Sequence, residues 1–215
     1  MKSAELISKF KIRLEAVASA SAPGFTDTEI YSLLNTAENE IVKKYSQLGD
    51  YKSIYTTIRT YGGSLSQVTL PSGDVVYGIV IENNNYVGVR YVIDATVRVS
   101  RTEPTLSSRF VRTEIISVLD MAKFFTTDFN KTYFKYPKIV IGYERLGDAK
   151  ASLIVIPDSY TTSIDYINMT YVCTQLGIDN VTTSMLPKFL HDDLVDLAVN
   201  MAAESIFKTK IQQQG

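Results

Sequence analysis

Residues 25–48, FTDTEIYSLLNTAENEIVKKYSQL, constrain the fold more than any other stretch. Thr26 is an N-cap residue, and Glu29 three positions on completes a capping box in which each residue satisfies the other's free backbone N–H. Phe25 and Ile30 flank that start as a hydrophobic staple. Ile30, Leu33, Leu34, Ala37, Ile41, Tyr45 and Leu48 then recur at helical spacing, while Asn35, Glu38 and Asn39 fall on other faces. Gly49 supplies the stop. The result is an amphipathic helix whose apolar stripe the rest of the chain must cover.

Residues 3–19 give a first amphipathic helix with Leu6, Ile7, Phe10, Leu14 and Val17 inward. The small-residue link Ser19–Gly24 predicts an antiparallel helix pair. After Gly49 the pattern turns to β. Residues 51–72 read as strand fragments and turns. Residues 74–82 run as a strand into Asn83–Asn85, and the return strand alternates from Val87 to Val99. That predicts a long hairpin with one buried face, with Gly88 as a place for a bulge. Beyond Pro104, Val111, Ile115, Val118, Leu119, Ala122 and Phe125 predict a middle helix over about 108–126, capped by Ser107–Ser108.

Lys138–Tyr143 and Ser152–Ile156 predict a second hairpin around Arg145–Ala149, and Ile164–Val172 a further strand. Gly177–Ser184 reads as polar loop, and residues 187–208 as the closing helix with Pro187 in its first turn. That helix carries two stripes, Leu190, Leu194, Leu197, Met201 and Ile206, and Val195, Val199, Ala202 and Phe207. Such a helix is either central in a bundle or shared with a neighbouring subunit. Gln212–Gly215 reads as a mobile tail. The expected class is α+β: a helical bundle (N-terminal pair 1–50, middle helix 108–126, C-terminal helix and tail 186–215) bearing antiparallel β regions at 51–107 and 127–185. These form one interleaved domain or two layers.

Composition narrows function by exclusion. A formal net charge of −1 gives no global electrostatic footprint for gripping nucleic acid. A single cysteine, Cys173, rules out an intramolecular disulfide and reads as structural. The N-terminal stretch lacks a signal-peptide pattern, and no apolar run reaches the ~20 residues of a membrane span, so folding in the cytoplasm is expected. His191–Asp192–Asp193, with Asp196 and Glu204, is the only cluster resembling a metal or acid–base site. Adjacent helical residues point apart, so it reads as dipole matching plus a single packed or capping histidine. Gly62–Gly63–Ser64 fits no phosphate-loop pattern and reads as a turn. The fourteen tyrosines divide between strand faces and interfaces. Arg90, Arg98 and Arg101 are candidates for contact with DNA or a partner. No catalytic residue, cofactor or metal ligand is expected.

The segment FTDTEIYSLLNTAENEIVKKY resembles the opening of head–tail connector proteins of tailed bacteriophages, and LPKFLHDDLVDLAVNMAAESI resembles their closing helix. The likeness is strongest to connector or ring proteins of crAss-like short-tailed phages of Bacteroidetes, with a distant analogy to tail tubular protein A. Tyr136–Pro137–Lys138 follows the pattern more loosely. The resemblance implies a non-enzymatic virion protein, made in the host cytoplasm and assembled as a dodecameric ring at the head–tail junction. It would contact the portal and other connector or tail proteins, and DNA would pass through its lumen without sequence-specific binding. Near-neutral charge fits such a conduit. The expected subunit interface is Val195, Val199, Ala202, Phe207, Lys208, Lys210 and Ile211. A tail-side collar protein and a cytoplasmic ligand-binding or hydrolytic domain are the alternatives.

Overall fold

The computed structural model describes residues 2–18, 24–69, 73–79, 82–83, 86–87, 89–101, 108–117, 119–120, 136–141, 153–158, 161–173 and 177–213. Helices and antiparallel sheets give the expected α+β class. The chain divides into two compact units, a helical one from 1–57 and 175–215, and a β unit from 58–174.

In the helical unit, α1 (Ser3–Ala18) and α2 (Asp27–Gln47) both pack on α3 (His191–Gln213), more extensively than on each other. The capping box at Thr26 and Glu29 forms as the sequence predicts. Phe25 meets Phe10 edge to face, tying the start of α2 to α1. At the other end Gly49 adopts φ 70°, its N–H donates to the Ser46 carbonyl, and the Asp50 N–H reaches back to Tyr45. This is a Schellman stop, and the left-handed residue in it favours glycine.

Several expectations are corrected here. Val17 is exposed, and Leu48 is exposed. Glu38, placed on an outward face by the periodicity, is only 1 % exposed. The closing helix begins at His191 after a 3-10 turn (Lys188–Leu190) and continues through Gln212 and Gln213, so these two do not form a tail.

The β unit holds a four-stranded sheet, β1 (Ile58–Ser64), β11 (Thr161–Cys173), β6 (Val89–Arg101) and β7 (Arg109–Arg112), all antiparallel in that order. β1 and β11 pair from Ile58↔Val172 to Ser64↔Tyr166. A five-stranded sheet runs β2 (Ser66–Thr69), β3 (Val75–Ile79), β10 (Leu153–Ile156), β9 (Lys138–Ile141) and β8 (Glu114–Ile116), the last pair parallel. β10 is buried throughout, as its apolar run LIVI requires.

The hairpin at Asn83–Asn85 closes through β4 (Glu82–Asn83) and β5 (Tyr86–Val87). Among the described residues its arms pair no farther: β3 enters the five-stranded sheet and β6 the four-stranded one. Residues 84, 85 and 88 lie outside the described set, as do Pro104, Ser107 and the turn at 145–149. Register shifts in the β6–β11 ladder fall at Thr162 and Asp165 on β11 and at Arg90 and Ile93 on β6, the latter two leaving Val92 buried where strict alternation placed Tyr91 and Ile93 inward.

The middle helix is corrected over 109–116, which form β7 and β8. Val111, Thr113, Ile115 and Ile116 are β-branched, and that stiffness suits a pleated strand better than a helix turn. Thr113 marks the crossing between the two sheets, its N–H and hydroxyl both donating to the Ala95 carbonyl. Helical residues begin at Leu119, with the Asp120 N–H donating to the Ser117 hydroxyl; residues 118 and 121–126 lie outside the described set.

Candidate functional site

The expected interface on the closing helix separates into two parts. Val195, Val199 and Ala202 are buried within the helical unit, because α3 is the central helix and needs apolar residues on both sides. They are not an outward face, and that expectation is corrected. Phe207 is 56 % exposed and Lys208 is exposed. The side chains of Lys210 and Ile211 lie outside the described set. Ile12, 64 % exposed, and Val17 lie outward on α1, and Phe189 is exposed before α3.

The acidic cluster at the start of α3 faces α1. Asp192 accepts from Lys9 Nζ at 2.8 Å and from Arg13, while Asp196 accepts from Arg13 at 2.6 Å. The Lys9 ammonium, with Arg13, holds the Asp192 carboxyl below the usual range. His191 is packed as the sequence predicts, 2 % exposed, with Nε2 donating to the Leu186 carbonyl at 2.9 Å. Burial lowers its pKa. Its Nδ1 has no hydrogen-bond partner among the described residues. No grouping of three metal-ligand side chains occurs among the described residues.

Two side chains on α2 hold the loop that precedes α3, and periodicity alone missed both. The Asn35 amide donates to the Ile178 carbonyl at 3.1 Å and accepts from its N–H. The Glu38 carboxylate accepts from the Ser184 hydroxyl at 2.5 Å and from the Met185 N–H at 2.9 Å. Burial raises the Glu38 pKa against the pull of those hydrogen bonds. A polar loop rich in Ser, Thr and Asn between β11 and α3 was the available signal, since its backbone groups need partners when it lies on a helix.

The second constellation lies on the four-stranded sheet. Cross-strand register aligns three rows of one face: Thr60, Thr170 and Asp94; Gly62, Asn168, Thr96 and Arg112; Ser64, Tyr166, Arg98 and Phe110. In the third row Arg98 makes a bidentate pair with Asp165 at 2.9 and 2.7 Å, and its guanidinium sits 5.6 Å from the Tyr166 ring centroid. Phe110 meets Tyr166 edge to face at 6.3 Å. The hydrogen bond from Arg98 lowers the Asp165 pKa, and Asp165 in turn raises that of Arg98. At Gly62 a Cβ would come within 2.9 Å of both the Asn168 Oδ1 and the Tyr166 hydroxyl, so the ends of those side chains would have to shift to admit one. Gly62 and Gly63 lie within strand β1, paired with Asn168 and Ile167 of β11, and the turn expected there is corrected. Arg90 lies near the Tyr91 ring, and the side chain of Arg101 is outside the described set. Cys173 is buried at the end of β11.

Comparison with protein-family models and with curated proteins found no match. No helix among the described residues is long and apolar enough to cross a membrane.

Proposed function

We propose that the chain is a structural subunit of a phage head–tail connector, forming an oligomeric ring that joins portal to tail and continues the DNA channel. The observation that supports this reading is the set of apolar side chains left outside a completed helical core: Ile12 and Val17 on α1, Phe189 before α3, and Phe207 near its end. A ring repeats a heterologous contact, which needs two different surfaces on each subunit. Ile12 and Phe207, carried by different helices, offer a starting point for both. In this reading the helical unit supplies the ring contact and the partners are further copies, the portal and adjoining tail proteins.

The test is the mass of the purified 24.0 kDa chain in solution, alone and with the portal of its phage. Ring formation, free or templated by the portal, is expected. Phe207→Asp and Ile12→Asp should each prevent it while leaving the circular dichroism of the monomer unchanged. Rings that bind tail proteins and ignore the portal would move the subunit to a tail-side collar. A chain that stays monomeric with every virion partner would overturn the reading.

A further inference from the structure

We infer that the exposed face of the four-stranded sheet is a binding site for a neutral, hydroxyl-rich ligand, a short saccharide. The face forms a trough of about 310 Å³ lined by Thr60, Gly62, Asp94, Thr96, Asn168 and Thr170. That volume falls at the small end of the range for small-molecule sites. Gly62 forms its floor, since a side chain there would meet Asn168 and Tyr166.

The lining selects the ligand class. Three threonine hydroxyls both donate and accept, the Asn168 amide does both through different atoms, and the Asp94 carboxylate accepts. A surface of mixed donors and acceptors matches vicinal hydroxyls, which also do both. In the next row of the sheet, beside the trough, Tyr166 and Phe110 stand together, Phe110 being 51 % exposed. An aromatic face beside hydroxyl-binding groups suits a sugar ring, which has an apolar face and a polar edge.

The charge arrangement argues against an anionic ligand. Arg98 is bound bidentately by Asp165, and Arg112 lies 3.5 Å from Asp94. Both of these cations have a carboxylate beside them, so a phosphate chain would meet repulsion as well as attraction there. The saccharide site lies within the β unit and does not depend on the connector reading.

The experiment is isothermal titration calorimetry of the full chain with maltohexaose, cellohexaose, laminarihexaose and dextran, using oligodeoxythymidylate as the anionic probe. Binding of at least one neutral glycan is expected, with an affinity that does not change when salt is raised across the range that screens surface charge. Asn168→Ala should weaken it tenfold or more. Thr96→Val removes one hydroxyl at nearly constant shape, and should weaken it severalfold without changing the melting temperature. No heat from any of the four glycans would overturn the inference. So would oligonucleotide binding that falls with salt, or glycan affinity unmoved in the Asn168→Ala and Thr96→Val proteins.

Discussion

The helical unit buries Glu38 and His191, whereas the four-stranded sheet of the β unit displays rows of polar residues. Glu38, Asn35 and His191 sit inside or against the helical core, each fixing a piece of backbone in the loop before α3. Thr60, Thr96, Asn168 and Arg98 stand in register on an open sheet. A buried carboxylate must find donors or its burial is prohibitive, so its work is positional. A solvated row of hydroxyls has no such obligation and is available to something else. Burial therefore separates polar groups that build the fold from those that can meet a ligand.

Breaking the helical core tests this division most severely. Leu34 is fully buried, and Leu34→Ala should destabilise by about 3–5 kcal/mol, as for large cavities. Hydrogen exchange should show α1, α2 and α3 amides losing protection while β6 and β11 keep theirs. Simultaneous loss in both units would mean that the units do not fold separately. Glu38→Ala comes next. It strands the Ser184 hydroxyl and the Met185 N–H, at a cost of about 2–3 kcal/mol in denaturant unfolding.

The pH dependence of stability distinguishes two buried titratable groups of the helical unit, Glu38 and His191. Folded Glu38 keeps its proton to higher pH than an unfolded glutamate. Its linked stability is thus complete below the ordinary carboxylate range and is lost as pH rises through the raised value. Glu38→Gln should remove that decline. His191 has the opposite sign: its folded pKa is lowered, so its contribution is present above the ordinary value of about 6.5 and is lost as pH falls through the folded one. His191→Phe should flatten the acid side of the melting-temperature profile.

Smaller effects sharpen the contrast. Thr26→Ala removes the cap of α2 and should lower stability by about 1 kcal/mol, read from the urea midpoint. Arg98→Ala, on the open sheet, should leave the midpoint unchanged within error, because exposed pairs contribute little. A large loss there would show that the sheet face is structural after all.

The sequence carried the helical unit more clearly than the β unit. Thr26, Glu29 and Gly49 announce a helix by local chemistry, and the structure realises all three. Strand order is set by residues far apart, so nothing near Val75 or Val89 says that the two strands enter different sheets. Residues 109–116 were ambiguous because β-branched residues at helical spacing also fit two short strands joined at Thr113. Periodicity placed Glu38 outside because it cannot see a loop contributed from the far end of the chain. Of the candidate site, Arg98 was visible as a surface arginine. Its alignment with Tyr166, Phe110 and Ser64 exists only through register.

The pairing of Ile58 with Val172 has a consequence for the order of assembly. These residues stand at the entry and exit of the β unit, between the two halves of the helical unit. Closing a long flexible loop carries an entropy penalty that grows with its length. Once β1 and β11 have zipped, the loop is already closed, because Ile58 and Val172 lie opposite each other at the ends of the two strands. The β unit then acts as an internal clasp that raises the effective concentration of α3 around α1 and α2. On this account the helices would be the last part of the chain to consolidate, and strand pairing at one ladder would set their rate.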